Sequence, residues 1–331
     1  EILHLKQRIL EENFRKGKGI SKKEDIKETY ISRILGSIKL NKNLSISIDC
    51  GNGAAGVVAK EVYERLGCNV IELYGEPDGA FPNHHPDPSK LENMEDLIKN
   101  VKENDSVVGL AFDGDADRLG VISPKGEMIF PDRQMIMFSR QVIQSSPNAN
   151  IVFDVKCSKL LSDEIEKLKG KPLICKTGHT FIKQKIRETN ALLGGEMSGH
   201  IFFNDRWPGF DDGIYAGARM LEIIANSEEE DQFVSVPDML STPEINIPSA
   251  DEEKFQIVKT FIENSNFNDA KIVSIDGIRV EFEKGWGLLR PSNTSPCLVL
   301  RFEAETNDDL NKIKEIFYLG LKSIKPNINK F

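Results

Sequence analysis

The chain has 331 residues, long enough for two or three domains with substantial cores, and its 39% hydrophobic and 29% charged content is that of a globular protein. No apolar run reaches membrane-spanning length, and a net charge of −9 argues against a nucleic acid or an anionic membrane surface as partner. The five cysteines (Cys50, Cys68, Cys157, Cys175, Cys297) are odd in number and include no Cys-x-x-Cys pair, which argues against a disulfide framework or structural zinc and for a cytoplasmic chain with buried thiols.

In chain order, Glu1 to Phe14 has helical spacing (Ile2, Leu5, Ile9, Leu10) and runs into a Gly- and Lys-rich linker, Arg15 to Asp25. A chain opening on such a helix, at Glu1 and not Met, is expected to lack something upstream. Thr29 to Leu40 reads as a helix and Leu44 to Asp49 as a strand ending in Cys50-Gly51-Asn52-Gly53. A helix from Ala54 to Leu66 and a strand from Asn69 to Tyr74 complete a β-loop-α-β unit. The Gly-Asn-Gly turn is read as a tight turn needing positive φ in preference to an anion cradle. The irregular loop from Phe81 to Pro88 holds His84 and His85, and adjacent histidines suit loop packing better than a shared metal.

Val107 to Phe112 is a buried-type strand that stops at a turn carrying Asp113, Asp115 and Asp117 at alternate positions, with Arg118 behind them. Near 4 Å and at an effective dielectric of about 20, each carboxylate pair repels by roughly 4 kcal/mol, so the turn calls for a proton, a cation or a wide splay. A hard divalent cation such as Mg²⁺ suits these oxygens and leaves positions open for phosphate, to which the Arg118 fork is also suited. A solvated acidic turn is the plainer reading, and the buried strand in front argues against it. An EF-hand is excluded, because its required Gly and Glu positions are Arg118 and Pro124 here.

Beyond this turn the expected elements are a strand Leu119 to Ser123, a helix Asp132 to Gln144, a strand Ile151 to Val155, a helix Lys159 to Leu168 capped by Ser158, and a strand Pro172 to Cys175. Ile201 to Phe203 is a strand, and Asp211 and Asp212 open a helix from Gly213 to Ala225. The charged run Glu228 to Asp231 reads as a solvated helix end, and Pro237 to Pro248 as an interdomain linker. The rest is helix Glu252 to Glu263, strands Lys271 to Ile275 and Ile278 to Glu283, the segment Gly285 to Phe302, and helix Asp308 to Leu321, an α+β pattern.

One design recurs three times: a short apolar strand, a polar Gly- or Pro-bearing loop, and a second strand. The loops hold the three aspartates with Arg118; Glu196, Ser198 and His200; and Arg290, Ser292, Asn293, Thr294 and Ser295. The third has the composition of a phosphate clamp, so metal, polyol reader and clamp together would form a sugar-phosphate site.

The motifs Asp-Gly-Asp-Ala-Asp-Arg (113–118), Asp-Val-Lys-Cys-Ser (154–158), Lys-Thr-Gly-His (176–179), Gly-Glu-Met-Ser-Gly-His (195–200) and Arg-Pro-Ser-Asn-Thr-Ser-Pro (290–296) resemble, in order, those of the α-D-phosphohexomutases, and most closely their bacterial phosphomannomutase/phosphoglucomutase branch. The resemblance implies two mixed α/β/α sandwich domains followed by a smaller α+β domain, three of that family's four: 25–127 with the metal loop, 128–241 with the sugar-recognition loop and 242–331 with the phosphate clamp, after a remnant helix and linker over 1–24. It implies Mg²⁺ on Asp113, Asp115 and Asp117, Arg118 beside a phosphoserine, and Lys156 and His179 as acid/base or phosphate-contacting groups. Glu196 and Ser198 would hold sugar hydroxyls with His200 close by, and Arg290, Ser292, Asn293 and Thr294 would grip the phosphate distal to the reaction. Members of this family move a phosphoryl group between C1 and C6 of a hexose through a hexose 1,6-bisphosphate.

The family's serine loop, of Thr-x-Ser-His-Asn-Pro type, does not occur in these 331 residues, and the expected partner is therefore the N-terminal domain that carries it, beside phosphorylated hexoses. Two other readings stand: a non-catalytic sugar-phosphate-binding fragment, and a hydrolase or phosphotransferase with Asp113 as an aspartyl nucleophile.

Overall fold

The computed structural model describes residues 2–228, 232–267 and 270–331, and among them ten α-helices and three sheets. Residues 229–231 of the expected charged helix end lie outside the described residues. The first sheet joins β1 (Ser45–Asp49), β2 (Asn69–Leu73), β3 (Val108–Phe112), β4 (Leu119–Ile122) and β5 (Met128–Ile129) in the order β2-β1-β3-β4-β5. β1 pairs in parallel with β2 and β3, and β3 turns back on β4 as an antiparallel hairpin. The second sheet, β6 (Asn150–Asp154), β7 (Lys171–Cys175), β8 (Leu193–Gly195) and β9 (Ile201–Phe203), repeats the plan: order β7-β6-β8-β9, parallel except for the β8–β9 hairpin.

The third sheet is antiparallel and contains β10 (Leu240–Ser241), β11 (Ile245–Pro248), β12 (Lys271–Val273), β13 (Ile278–Phe282), β14 (Gly285–Pro291) and β15 (Cys297–Ala304). Its order is β10-β15-β14-β13-β12, with β11 also on β15, so the stretch read from sequence as a linker contributes two strands. All three recurrent strand-loop-strand designs are antiparallel hairpins.

The helices are α1 (Ile2–Leu10), α2 (Lys27–Ser37), α3 (Ala59–Arg65), α4 (Glu95–Glu103), α5 (Pro131–Ser145), α6 (Lys159–Lys167), α7 (His179–Thr189), α8 (Gly213–Ala225), α9 (Asp251–Asn264) and α10 (Asn307–Ile324). The continuous helix expected from Ala54 is instead a 3₁₀ turn, Ala54–Val57, followed by α3. The chain is pressed there against the Gly75 carbonyl, where a Cβ on Gly56 would lie 1.8 Å from that oxygen. Helices α4 and α7 were not expected, because each buries just two apolar side chains one turn apart, Leu97 with Val101 and Ile182 with Ile186, amid charged residues. Ser158 caps α6 as expected, its Oγ accepting from the Leu160 N–H at 3.1 Å.

The first two sheets share one continuous apolar core running from Ile46, Leu110 and Phe112 through α5 and α8 to Phe153, Leu193 and Phe203. Helix α8 reaches this seam with small residues at the contact. A Cβ on Gly217 would come within 2.3 Å of the Tyr63 hydroxyl, and one on Gly213 within 2.6 Å of the Arg118 carbonyl, so α8 fixes the acidic turn from below. The third sheet packs α9 and α10 into its own core, around Phe261, Leu289, Leu300, Phe302 and Phe317. All five cysteines are free thiols, and four are buried. No helix among the described residues is long and apolar enough to cross a membrane.

Candidate active site

The acidic turn between β3 and β4 is tightly held by backbone. Ala116 takes a left-handed φ of 63°, Asp113 accepts from the Ala116 N–H at 3.1 Å, and Ala116 in turn accepts from Gly213 at 2.9 Å. Gly114 accepts from Ala54 at 2.9 Å, which explains the Gly-Asn-Gly turn: Gly51 and Asn52 sit at φ 52° and 56° and lay Gly53 against the aspartate loop. The adjacent His84 serves packing as expected, with Nε2 3.1 Å from Asp49 and the ring edge-on to Tyr74. Asp49 raises the His84 imidazole to about 9.

Asp113, Asp115 and Asp117 each direct an oxygen into one cluster, with the oxygens within 4.8 Å of one another. Asp113 is buried, and its two oxygens accept from the Arg118 N–H at 3.0 Å and from Arg118 Nε. Burial first, and then the charges of Asp113, Asp115 and Asp211, raise Asp117 to about 7 in spite of His200. Three hard oxygen donors converging on one point, one of them kept from easy ionisation by burial and then by its neighbours' charge, fit a small divalent cation.

The β8–β9 loop is joined to this turn by backbone, through an antiparallel bridge between Arg118 and His200 and a 3.1 Å bond from Leu119 N–H to the Gly199 carbonyl. Glu196 is buried, with one oxygen accepting from Gly178 N–H at 2.8 Å and the other from Ser198 Oγ at 3.1 Å. Burial and the charge of Asp154 raise Glu196 to about 7, leaving a carboxyl that can donate or accept near neutrality. His200 Nδ1 lies 3.1 Å from Asp211 and 3.4 Å from Asp117. Burial disfavours its charged form, but these carboxylates and Glu196 outweigh that and raise it. His179 opens α7 with Nδ1 3.4 Å from Asp211, and Lys183, one turn on, reaches the other Asp211 oxygen at 3.0 Å.

Lys156, at the exit of β6, is buried and pairs through Nζ with Glu244 at 2.6 Å. Burial would strip its proton, yet Asp154 and Glu244 outweigh that and raise it, so it stays an ammonium. Arg290 on β14 is buried, with Nε 2.9 Å from Asp276, whose carboxylate also accepts from Thr177 N–H at 3.1 Å. Arg290 Nη2 and Thr177 Oγ1 are buried without a hydrogen-bond partner among the described residues, donors that an anion would satisfy. Ser292 Oγ accepts from the Thr294 and Ser295 N–H groups at 3.4 and 3.1 Å, and Asn293 and Thr294 stand exposed at the loop tip.

The acidic turn, Arg118, His179, Glu196, Ser198 and His200 thus gather together, Arg290 is tied to them through Asp276 and Thr177, whose neighbour Gly178 donates to Glu196, and Lys156 pairs with Glu244 within reach of the Arg290 charge. Sequence reasoning missed Asp211, Lys183, Glu244 and Asp276 as site residues. The Asp211-Asp212 doublet was a usable signal: Asp212 caps α8, accepting from Tyr215 N–H at 2.9 Å, which frees Asp211 for the site. Lys183 became visible only with α7, and Glu244 only with β11.

Three family descriptions match the chain: phosphoglucomutase/phosphomannomutase alpha/beta/alpha domain II over residues 28–126, alpha/beta/alpha domain III over 130–238, and the C-terminal domain over 244–319. A phosphomannomutase/phosphoglucomutase of Pseudomonas syringae pv. tomato is 48% identical over 331 residues, covering 99% of this chain and 71% of the relative. A crystal structure of a phosphoglucomutase/phosphomannomutase family protein from Burkholderia thailandensis matches with TM-score 0.95 and 44% identity, over 100% of this chain and 71% of that one. An Aspergillus fumigatus N-acetylphosphoglucosamine mutase, solved with GlcNAc-6P and magnesium, shares the fold at 14% identity and TM-score 0.60, over 89% of this chain and 68% of that one.

Proposed function

The chain belongs to the phosphoglucomutase/phosphomannomutase family, and from that premise we propose how its own residues serve a phosphohexomutase, the isomerase that interconverts hexose 1- and 6-phosphates by phosphoryl transfer. The observation that carries the reading is the direct meeting of the acidic loop with the Glu196 loop, to which Arg290 of the third hairpin is tied through Asp276 and Thr177. Residues 25–127, 128–241 and 242–331 are taken as the three domains that supply them, after the helix and linker of 1–24.

Arg290, Ser292, Asn293 and Thr294 hold the phosphate that is not reacting, in a pocket where Arg290 already has an unpaired donor. Glu196 accepts hydrogen bonds from two neighbouring sugar hydroxyls, steadied by Ser198, and His200 lies beside it. Asp113, Asp115 and Asp117 hold Mg²⁺, which when bound supplies positive charge to the oxygens of the transferring group. Arg118 lies against the same turn to pair with that phosphoryl group. His179 and Lys156 face the sugar, His179 placed to move a hydroxyl proton and Lys156 to balance phosphate charge once Glu244 releases it.

A serine carrier gives its phosphoryl group to one sugar oxygen, the resulting hexose 1,6-bisphosphate reorients, and the second phosphate returns to the carrier. No serine in these 331 residues lies in a loop of the carrier type, so the chain alone is expected to bind sugar phosphate and metal without turning them over. Positioning of a covalent carrier is worth about 7–11 kcal/mol of barrier, which charge stabilisation alone does not replace. Asp113 is a poor substitute nucleophile, because Arg118 occupies both its oxygens.

The test is a coupled mutase assay on this chain, alone and with a separately expressed domain bearing the serine loop. Turnover only in the presence of that domain supports the reading, and robust turnover by the chain alone overturns it.

A further inference from the structure

Asp117, His179, His200 and Asp211 form a second group of donors, one ligand atom each, all within 4.8 Å of one another. Three of its edges are nearly equal: 3.4 Å from His179 Nδ1 to Asp211 Oδ2, 3.1 Å from His200 Nδ1 to the same oxygen, and 3.4 Å from His200 Nδ1 to Asp117 Oδ1. Tetrahedral coordination at about 2.0–2.1 Å places neighbouring ligand atoms about 3.3–3.4 Å apart. We propose that this cluster is a binding site for a borderline divalent transition ion of the Zn²⁺ or Co²⁺ class, sharing Asp117 with the oxygen-only group of Asp113, Asp115 and Asp117 but differing from it in its two imidazoles.

The donor set decides which ion enters. Two imidazole nitrogens with two carboxylates favour Zn²⁺ or Co²⁺ and offer Mg²⁺ little, whereas three carboxylates favour the hard ion. His200 Nδ1 is buried and makes no well-aligned hydrogen bond among the described residues, although carboxylate oxygens of Asp211 and Asp117 face it at 3.1 and 3.4 Å. A metal between these atoms would satisfy the nitrogen and both oxygens at once. Asp211 is steadied for this role by Lys183, which takes its other oxygen at 3.0 Å, and a ligand held by a hydrogen bond at its far side is already oriented. His179 is half exposed, which provides the entry path.

An ion held here engages both imidazoles of the sugar site. Its consequence for turnover rests on the mutase reading above, in which His179 moves a proton, and would be inhibition, with Mg²⁺ competing for Asp117 alone among the four ligands. The binding itself does not depend on that reading and is measured without any activity.

The test titrates Co²⁺ into the tag-free chain near neutral pH and follows the visible d–d band that marks tetrahedral coordination. One such band per chain is expected, bleached by Zn²⁺. His179→Ala should weaken Co²⁺ by on the order of tenfold or more, and Asp211→Asn should do likewise. Asp115→Asn, at the oxygen-only group, should leave the band in place. His179 is exposed, so its variant keeps the fold, which an unchanged melting temperature verifies. A pale octahedral spectrum, a band that survives His179→Ala, or one that disappears on replacing His84 and His85 would overturn the proposal.

Discussion

Two seams join the three sheets, and they are built from opposite materials. Between the first and second sheets the centre of the contact is apolar, with polar pairs such as Tyr30–Asp212 outside it: Tyr63 is fully buried, stacks near Phe112 with ring centroids 6.4 Å apart, and donates its hydroxyl to the Ile214 carbonyl at 3.0 Å beneath α8. Between the second and third sheets the contact is charged. Arg133 reaches Asp238 at 2.7 Å and Glu303 at 3.0 Å, Arg301 reaches Asp132 at 3.3 Å, and Glu303 also accepts from Ser158 at 2.7 Å and from Trp286. Arg279, stacked 3.9 Å above Trp286, donates to the Val155 carbonyl at 2.8 Å and to Cys157, and Arg301 donates to the carbonyl of Lys156 itself. Apolar contact stabilises without direction, whereas guanidinium–carbonyl bonds fix orientation. The third sheet thus grips the backbone around Lys156, and the directional seam is the one that sets the side of the site proposed to hold phosphate.

The charged seam should break hardest. Glu303→Ala strands Arg133, Ser158 and Trp286 in a buried place and should cost about 3–5 kcal/mol in urea unfolding. A loss under about 1 kcal/mol would mean that the seam contributes orientation only. On the apolar seam, Gly217→Ala forces a methyl against the Tyr63 hydroxyl and should cost about 1–3 kcal/mol, with Tyr63→Phe partly relieving it. An unchanged stability would show that α8 can shift.

A pH scan separates the two regions more gently. His84, in the loop 81–88 against Asp49 of β1, has a folded value of about 9 against an ordinary 6.5, raised by Asp49. A raised histidine stabilises fully below its unfolded value and loses that contribution as pH rises through the folded one, so stability should fall by about 1–2 kcal/mol between pH ~6 and ~9.5. His84→Gln should flatten that fall, and the same slope in the variant would assign it elsewhere.

Much of the site could be read from sequence because each loop carries its chemistry in consecutive residues: Asp113 to Arg118, Gly195 to His200, Arg290 to Pro296. The hairpins were legible for the same reason, since apolar strand, polar turn and apolar strand follow directly. What escaped was set by partners distant in sequence. Helix α7 is amphipathic only through Ile182 and Ile186, and β10 and β11 are short edge strands whose pairing with β15 no local pattern records. Glu244 and Asp276 look like ordinary linker and turn acids until β11 and β14 bring them to Lys156 and Arg290.

The acidic turn offers a smaller test of the site half that rests on the first seam. Asp115 is exposed, so Asp115→Asn should keep the fold while weakening Mg²⁺ roughly tenfold by calorimetry, and equal affinity would remove Asp115 from the metal group.

The most direct measurement concerns Arg290, where the charged seam meets the ligand. Calorimetric titration of glucose 1-phosphate and glucose 6-phosphate into the chain and its Arg290→Ala variant should show both esters weakened alike, by roughly tenfold to 150-fold, if the proposed clamp holds whichever phosphate is not reacting. Unchanged affinity for both, or loss of one ester alone, would contradict a common clamp on the third sheet.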